Sequence, residues 1–228
     1  VDIREYEEQG YLPEAMLNYL VRLGWSHGDK EIFAVDEMIE LFDVADVNQS
    51  ASSFNPEKLL WTNQKHIIAA PVDHLGKLLV SYLKRAGLDP ANGPEPVNVA
   101  EVFHERAETV LQMAVSARFC YEDFEVIDPQ AAKKHLRPVV LEPLKAARER
   151  LAELEHWVSA SISEVIQSVA ADHDIGLGKL GQPMRVAVTG GAVSPPIDAT
   201  IWLVGKNRTL ERLDNAIELI MGRAAQAG

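Results

Sequence analysis

The stretch PMRVAVTGGAVSPPI, residues 183–197, holds the residue types in this chain that first suggest chemistry. Arg185-Val-Ala-Val-Thr-Gly-Gly reads as a buried strand running into a glycine turn, the opening of a dinucleotide-binding unit. The continuation argues against that. Gly190-Gly191 is followed by Ala192-Val193-Ser194-Pro195-Pro196, with no third glycine. No clear strand with a ribose-binding acid comes some twenty residues later. What the stretch offers is a tight turn, then Ser194 as an N-cap and Pro195 at the first position of a helix over Ile197–Val204. Free amides at that helix start, beside Arg185, Lys206 and Arg208, could hold an anion or read a polar base edge. An ordinary capped helix is the plainer alternative.

Other reactive types are poorly placed. The seven histidines fall at 27, 66, 74, 104, 135, 156 and 173, with no His-x-x-x-His pair, and Cys120 is the only cysteine. Neither a zinc site nor a disulfide framework is expected. Cys120 has no evident basic partner and reads as a buried structural thiol. Glu122 and Asp123 are neighbours, which do not face each other on a helix, so capping or ion pairing suits them better than paired acid–base work. No nucleophile elbow, P-loop or kinase-like set is present, and no catalytic residue is expected.

The elements that must position these residues are helical. Pro13 and Glu14 open a helix that Gly24 ends. Asn55-Pro56-Glu57 gives a cap, a proline at N1 and an acid at the positive end of the dipole. Pro71 opens a helix with Leu75, Leu78, Leu79 and Leu83 at 3–4 spacing. LDPANGPEPVNV, 87–98, reads as a loop, and Asp128-Pro129 as another helix start. Leu151, Leu154, Trp157, Val158, Ile162, Val165, Ile166 and Val169 predict one long amphipathic helix. Leu210, Leu213, Ile217 and Ile220 predict the last. The only strand-like stretch is 184–189. An all-α fold is expected, in two helical parts meeting near residue 125, since one strand-like hexamer cannot build a parallel sheet.

At 228 residues the chain can bury a substantial core, and no apolar run approaches the ~20 residues that span a bilayer. A soluble protein of a reducing compartment is expected. The start at Val1, without Met or signal peptide, suggests an excised piece or a processed terminus. Net charge is −12, which on its face disfavours nucleic acid. Residues 1–60, however, carry 13 acids against 4 bases. Residues 128–150 hold Lys133, Lys134, Arg137, Lys145, Arg148 and Arg150 against three acids; residues 176–212 hold Lys179, Arg185, Lys206, Arg208 and Arg212 against two. Two locally basic stretches therefore sit on an acidic molecule; solvated helix faces are the plain alternative.

GYLPEAMLNYLVRLGW (10–25), FNPEKLLWTNQKHI (54–67), CYEDF (120–124), GKLGQPMRVAVTGGAVSPPI (178–197) and residues 203–217 together resemble the C-terminal half of bacterial glutamyl-tRNA synthetases, class I aminoacyl-tRNA synthetases. The matches run in the family's order over essentially the whole chain. The family's His-Ile-Gly-His-type and Lys-Met-Ser-Lys-Ser-type motifs are not found here. The resemblance implies a helical stem-contact domain at 1–125 and an α-helical-cage anticodon-binding domain at 126–228. It implies a fragment inactive by itself, whose parent ligates glutamate to its tRNA in the cytoplasm. ATP and Mg would belong to the absent catalytic domain, with no cofactor in this part. The implied partner is glutamate tRNA, held at the anticodon arm and inner stem by a monomer, without DNA or membrane.

Position by position, the resemblance gives Arg185 the arginine that contacts the middle anticodon base. It gives Ser194, Pro195 and Ile197 the turn that reads the first base. Arg106, in HERAETVLQMA, matches the arginine that contacts the third base and helps reject glutamine tRNA. Pro196 departs from the small residue common in the family and removes one backbone N–H. A free-standing helical protein-interaction module is the alternative; it needs a large exposed apolar face.

Overall fold

The computed structural model describes residues 2–48 and 53–226. Among these there is no strand, only an isolated bridge between His27 and Lys30. The chain divides into two compact units, Val1–Gly87 with Pro96–Val115, and Leu88–Glu95 with Ser116–Gly228. No helix is long and apolar enough to cross a membrane among the described residues.

The first unit contains α1 (Ile3–Gln9), α2 (Pro13–Gly24), α3 (Val35–Leu41), α4 (Pro56–Ala69), α5 (Val72–Arg85), α6 (Pro96–Phe103) and α7 (Val110–Ser116). The helix starts predicted at Pro13, Asn55 and Pro71 are all present. Asn55 accepts from the Lys58 N–H at 3.1 Å, and Pro71 occupies the cap of α5. α5 and α6 pack closely because position 76 is glycine: a Cβ there would lie 2.7 Å from Val97 Cα. Long-range polar bonds tie the helices together. Asn63 accepts from the Leu12 N–H at 2.8 Å and donates to the Glu108 carbonyl at 2.6 Å. Asn18, fully buried, donates to the Glu31 carbonyl and accepts from the Phe33 N–H, both at 3.0 Å. Its Oδ1 also meets His66 Nε2 at 2.9 Å. With the amide orientation set by two backbone groups, His66 must be the donor, in its Nε2–H tautomer.

The second unit contains α8 (Arg118–Tyr121), α9 (Pro129–His135), α10 (Leu141–Glu153), α11 (Ser159–Asp172), α12 (Leu177–Thr189), α13 (Ile197–Val204) and α14 (Lys206–Gln226). The start at Asp128-Pro129 is present, with Asp128 accepting from the Ala131 N–H. Three expectations need correction. Residues 184–189 are the last turns of α12, not a strand. Residues 180, 181, 183, 184 and 186–188 are buried, so the apolar run wraps nearly around the helix and loses the 3–4 signature. The long helix expected from Leu151 is two: Leu154 turns extended at ψ 122°, and α11 restarts at Ser159. The break is held by tertiary bonds, Trp157 Nε1–H to the Ile201 carbonyl and Ser159 to Asp198. The loop expected over 87–98 is interrupted by a 3-10 turn at Pro90–Asn92 and already opens α6 at Pro96.

Two arginines, Arg212 buried and Arg208 half-buried, join α14 to the connecting segments. Arg212, 5% exposed, donates to the carbonyls of Phe119 (2.8 Å), Val188 (2.7 Å) and Glu122 (3.0 Å) and to Asp123 Oδ1 (3.0 Å). Its guanidinium lies 4.6 Å from the centre of the Phe124 ring. Burial pulls the Arg212 pKa down, and hydrogen bonding to Asp123 opposes it. Arg208 donates to the Cys120 carbonyl at 2.6 Å and pairs with Asp123 at 2.9 Å. Cys120 is buried, and desolvation pushes its thiol up to about 12.

Candidate nucleic-acid interface

The turn between α12 and α13 is built around Arg185. α12 ends because Gly190 takes φ +77°, a left-handed conformation that favours glycine. A Cβ there would stand 3.1 Å from the Phe124 ring, so the space favours glycine too. Residues 191–196 then cross to α13 with little secondary structure of their own. Arg185, half-buried on α12, reaches across this loop. Its Nη1 donates to the Ser194 carbonyl at 3.0 Å, to the Pro195 carbonyl at 2.6 Å and to Ser194 Oγ. Its Nε donates to Gln182 Oε1 at 3.2 Å.

The cap expectation is wrong in detail. Pro196, not Ser194, stands at the cap of α13, and no side chain caps that helix. Ser194 Oγ instead donates to the Pro195 carbonyl at 2.9 Å and lies 3.0 Å from Thr200 Oγ1. Arg185 competes for the hydroxyl that the cap would have needed. The helix also carries Asp198 in its first turn. A carboxylate there already takes up the favourable dipole and repels a second anion, so the site suits a neutral, polar base edge better than a phosphate. Ile197 is half-buried and packs toward Gly181, where an added Cβ would meet Ile197 Cγ2 at 3.6 Å.

Two contributors escape sequence reading. Gln182, one helical turn before Arg185, bonds that arginine and donates through Nε2 to the Ala192 carbonyl at 2.8 Å. Thr200, fully buried, donates to the Pro195 carbonyl at 3.1 Å. The i, i+3 spacing of Gln182 and Arg185 was a usable signal; the fold of the turn onto Thr200 was not.

Arg185, Ser194, Pro195 and Ile197 are thus brought together on α12 and the start of α13. Arg106 lies in the other unit, exposed, in the turn after α6; its N–H donates to the Phe103 carbonyl at 3.0 Å. Its side chain has no ion pair among the described residues.

The basic stretches are largely committed internally. Arg148 makes two 2.7 Å bonds to Asp214, Arg150 pairs with Asp172, Lys145 with Glu142, and Lys206 donates to the Leu154 carbonyl. Lys133, Lys134, Arg137 and Lys179 are exposed and make no ion pair among the described residues. No group of three or more His, Cys, Asp or Glu able to hold a metal occurs among the described residues.

Known proteins share this architecture. The glutamate–tRNA ligase 1 of Nitrosococcus oceani is 49% identical over 98% of this chain and 48% of its own length. That of Alkalilimnicola ehrlichii is 49% identical over 99% of this chain and 48% of its own. The chain therefore spans about half the length of the curated relatives it matches. A crystal structure of a glutamate tRNA ligase from Elizabethkingia meningosepticum, in complex with its amino acid, superposes with TM-score 0.83. It is 28% identical and covers 94% of this chain and 43% of that one. A glutamate-tRNA synthetase from Elizabethkingia anophelis gives TM-score 0.79 at 29% identity over 93% and 42%. The family described as the catalytic domain of class I tRNA synthetases (E and Q) matches residues 1–61. The family described as the anticodon binding domain matches residues 37–217, and the chain belongs to it.

Proposed function

We propose that this chain is the anticodon-reading, tRNA-binding part of a glutamyl-tRNA synthetase, with glutamate tRNA as its partner. The observation that carries the reading is the Arg185-braced turn: donors and acceptors clustered at a helix start, in a segment that the anticodon-binding family covers. In this reading Arg185 lies against the middle anticodon base and the Ser194–Ile197 turn against the first. The exposed Arg106 meets the third base and disfavours glutamine tRNA. Ligation of glutamate at the expense of ATP, with Mg, is the activity proposed for a whole synthetase, carried out in the cytoplasm by a monomer. The reading assigns the stem-contact role to 1–125 and anticodon binding to 126–228. Pro196 contributes no N–H, so backbone reading falls to the amides of Ile197, Asp198 and Ala199.

Filter binding of this chain to tRNAs bearing glutamate, glutamine and unrelated anticodons tests the proposal. Preference for the glutamate anticodon is expected. Equal retention of all three would refute anticodon reading, and no retention would refute tRNA binding.

A further inference from the structure

Residues 123–128 run without helix from α8 toward α9 and meet the end of α12 at two points. The Asp128 N–H donates to the Gly190 carbonyl at 2.8 Å. The Phe124 ring stands so close to Gly190 that a Cβ there would meet three ring atoms at 3.1, 3.2 and 3.3 Å. Arg212 holds both sides of this contact. Its guanidinium lies 4.6 Å from the ring centre, and its Nη1 donates to the Val188 carbonyl, in the last turn of α12, at 2.7 Å. Gly190 is also the only left-handed residue between Arg185 and Ser194, so the direction in which the chain leaves α12 is decided there. That direction sets where residues 191–196 lie. On the other side Phe124 walls an open cleft of about 520 Å³, so no packed neighbour stands ready to take its place.

We propose that Phe124 is a positioning residue for anticodon reading: its ring fixes the exit of α12 at Gly190 and so places the 194–197 turn against the first anticodon base. The proposal rests on the synthetase reading above. Recognition needs its polar groups held within about 0.5 Å of the productive geometry by a supporting layer of packed side chains. Arg185 braces the turn from its far end, through the Ser194 and Pro195 carbonyls. At the near end Gly190 has no side chain of its own to pack, and the ring supplies that contact. Arg212 in turn holds the ring by a cation–π contact. Phe124 therefore acts on base selection through the backbone of Gly190.

Phe124→Ala and Phe124→Tyr in this chain test it with two readouts. The first is binding of anticodon stem–loops: the glutamate anticodon, and versions with its first or third base replaced. Phe124→Ala should lower the preference at the first base about five-fold, part of what one base contact supplies. The preference at the third base, assigned above to Arg106, should stay unchanged. A merely structural role would shrink the folded fraction and weaken all three stem–loops alike; unchanged ratios overturn the proposal. Phe124→Tyr keeps the ring and should keep the preference, and a fall equal to that of Phe124→Ala also overturns it. The second readout is amide hydrogen exchange by NMR, which needs no tRNA. The Gly190 and Gly191 N–H groups are bonded to the Val186 carbonyl and to Thr189 Oγ1. In Phe124→Ala they should exchange at least ten-fold faster, while those of His173 and Ile175, bonded at the end of α11, should not change. Unchanged exchange at 190–191 overturns the proposal whatever the stem–loops do. Should Phe124→Ala fail to fold by circular dichroism, Phe124→Leu, which keeps apolar bulk without the flat ring, is read in the same way. An unsubstituted chain without anticodon preference refutes the synthetase reading, and the exchange readout then decides separately whether Phe124 fixes the turn.

Discussion

Salt dependence offers the sharpest quantitative check, because the structure limits how many cations can meet phosphate. Sequence alone supplies six bases in 128–150 and five in 176–212. Were all eleven to neutralise phosphates, log Kobs against log salt would fall with a slope of about −8 to −10. The structure commits seven of them to internal partners, leaving Lys133, Lys134, Arg137 and Lys179. Four contacts give a slope of about −3 to −4. Raising salt from ~50 to ~200 mM should then weaken binding of an isolated glutamate anticodon stem–loop by about 50- to 150-fold, against more than about 10⁴-fold for eleven contacts. Fluorescence anisotropy across that range distinguishes the two. The pair Lys133→Glu and Lys134→Glu should reduce the slope by about 2. A slope steeper than about −6 would refute the reasoning, as would one that the double variant leaves unchanged.

The other expectations are more local. Arg106→Gln should leave the circular dichroism and Tm unchanged while raising the relative affinity for glutamine anticodon stem–loops about ten-fold, within the ~1–3 kcal/mol of one base contact; an unaltered ratio, measured by competition, removes its discriminating role. Arg185→Ala should both weaken binding and lower stability by about 1–3 kcal/mol in urea unfolding, because the Ser194 carbonyl loses its arginine donor while the Pro195 carbonyl keeps only Ser194 and Thr200. Arg212→Met should cost about 3–5 kcal/mol, since it takes the guanidinium donor from three carbonyls at ~1–3 kcal/mol each, while Asp123 keeps Arg208; a loss under about 1 kcal/mol would show that water replaces the guanidinium. Burial lowers the His66 pKa below its usual ~6.5, with Glu14 pulling weakly the other way. The unfolded chain then binds the proton first, so stability falls as pH drops below ~6.5 and stops falling at the lower folded pKa. His135 in the second unit adds to the same window, whereas Glu31, held below the usual carboxylate range chiefly by Arg22, acts only at lower pH. His66→Gln should flatten the part of the curve just below pH ~6.5; an identical slope in the variant would remove the buried imidazole as its source.

Helix starts marked by backbone chemistry are legible in the sequence. Pro13, Asn55-Pro56, Pro71 and Asp128-Pro129 each act through groups within four residues, so no tertiary knowledge is needed. α12 reads as a strand because burial on nearly all sides gives it an apolar run with β-branched Val186 and Val188, the same pattern as a buried strand. The break at 154–158 is hidden for a related reason: Leu154, Trp157 and Val158 keep helical spacing while the chain turns, and Ile201 and Asp198, more than 38 residues away, hold it. At the site, the sequence locates Arg185 and the 194–197 turn but not their bonding, because an arginine aimed at carbonyls leaves no pattern of paired charges. The rival interaction-module reading asks for an exposed apolar face, and the first unit has one; the anticodon-binding family match covers 37–217 nonetheless.

The arginines of α14 bear on how the second unit could be excised. Arg208 and Arg212 bond chain that passes through at 92, 119–120 and 122–123, all before α9 begins. A piece cut to start at 126 would keep α9 through α14 yet leave Arg212 a single carbonyl partner, that of Val188. Its cation would be buried with most acceptors gone, and Phe124 would no longer cover it. A proteolytic clip or expression boundary within 116–125 therefore acts as a distant mutation in α14. Anyone trimming this protein for binding work should keep residues 88–95 and 116–125 together with α9 through α14.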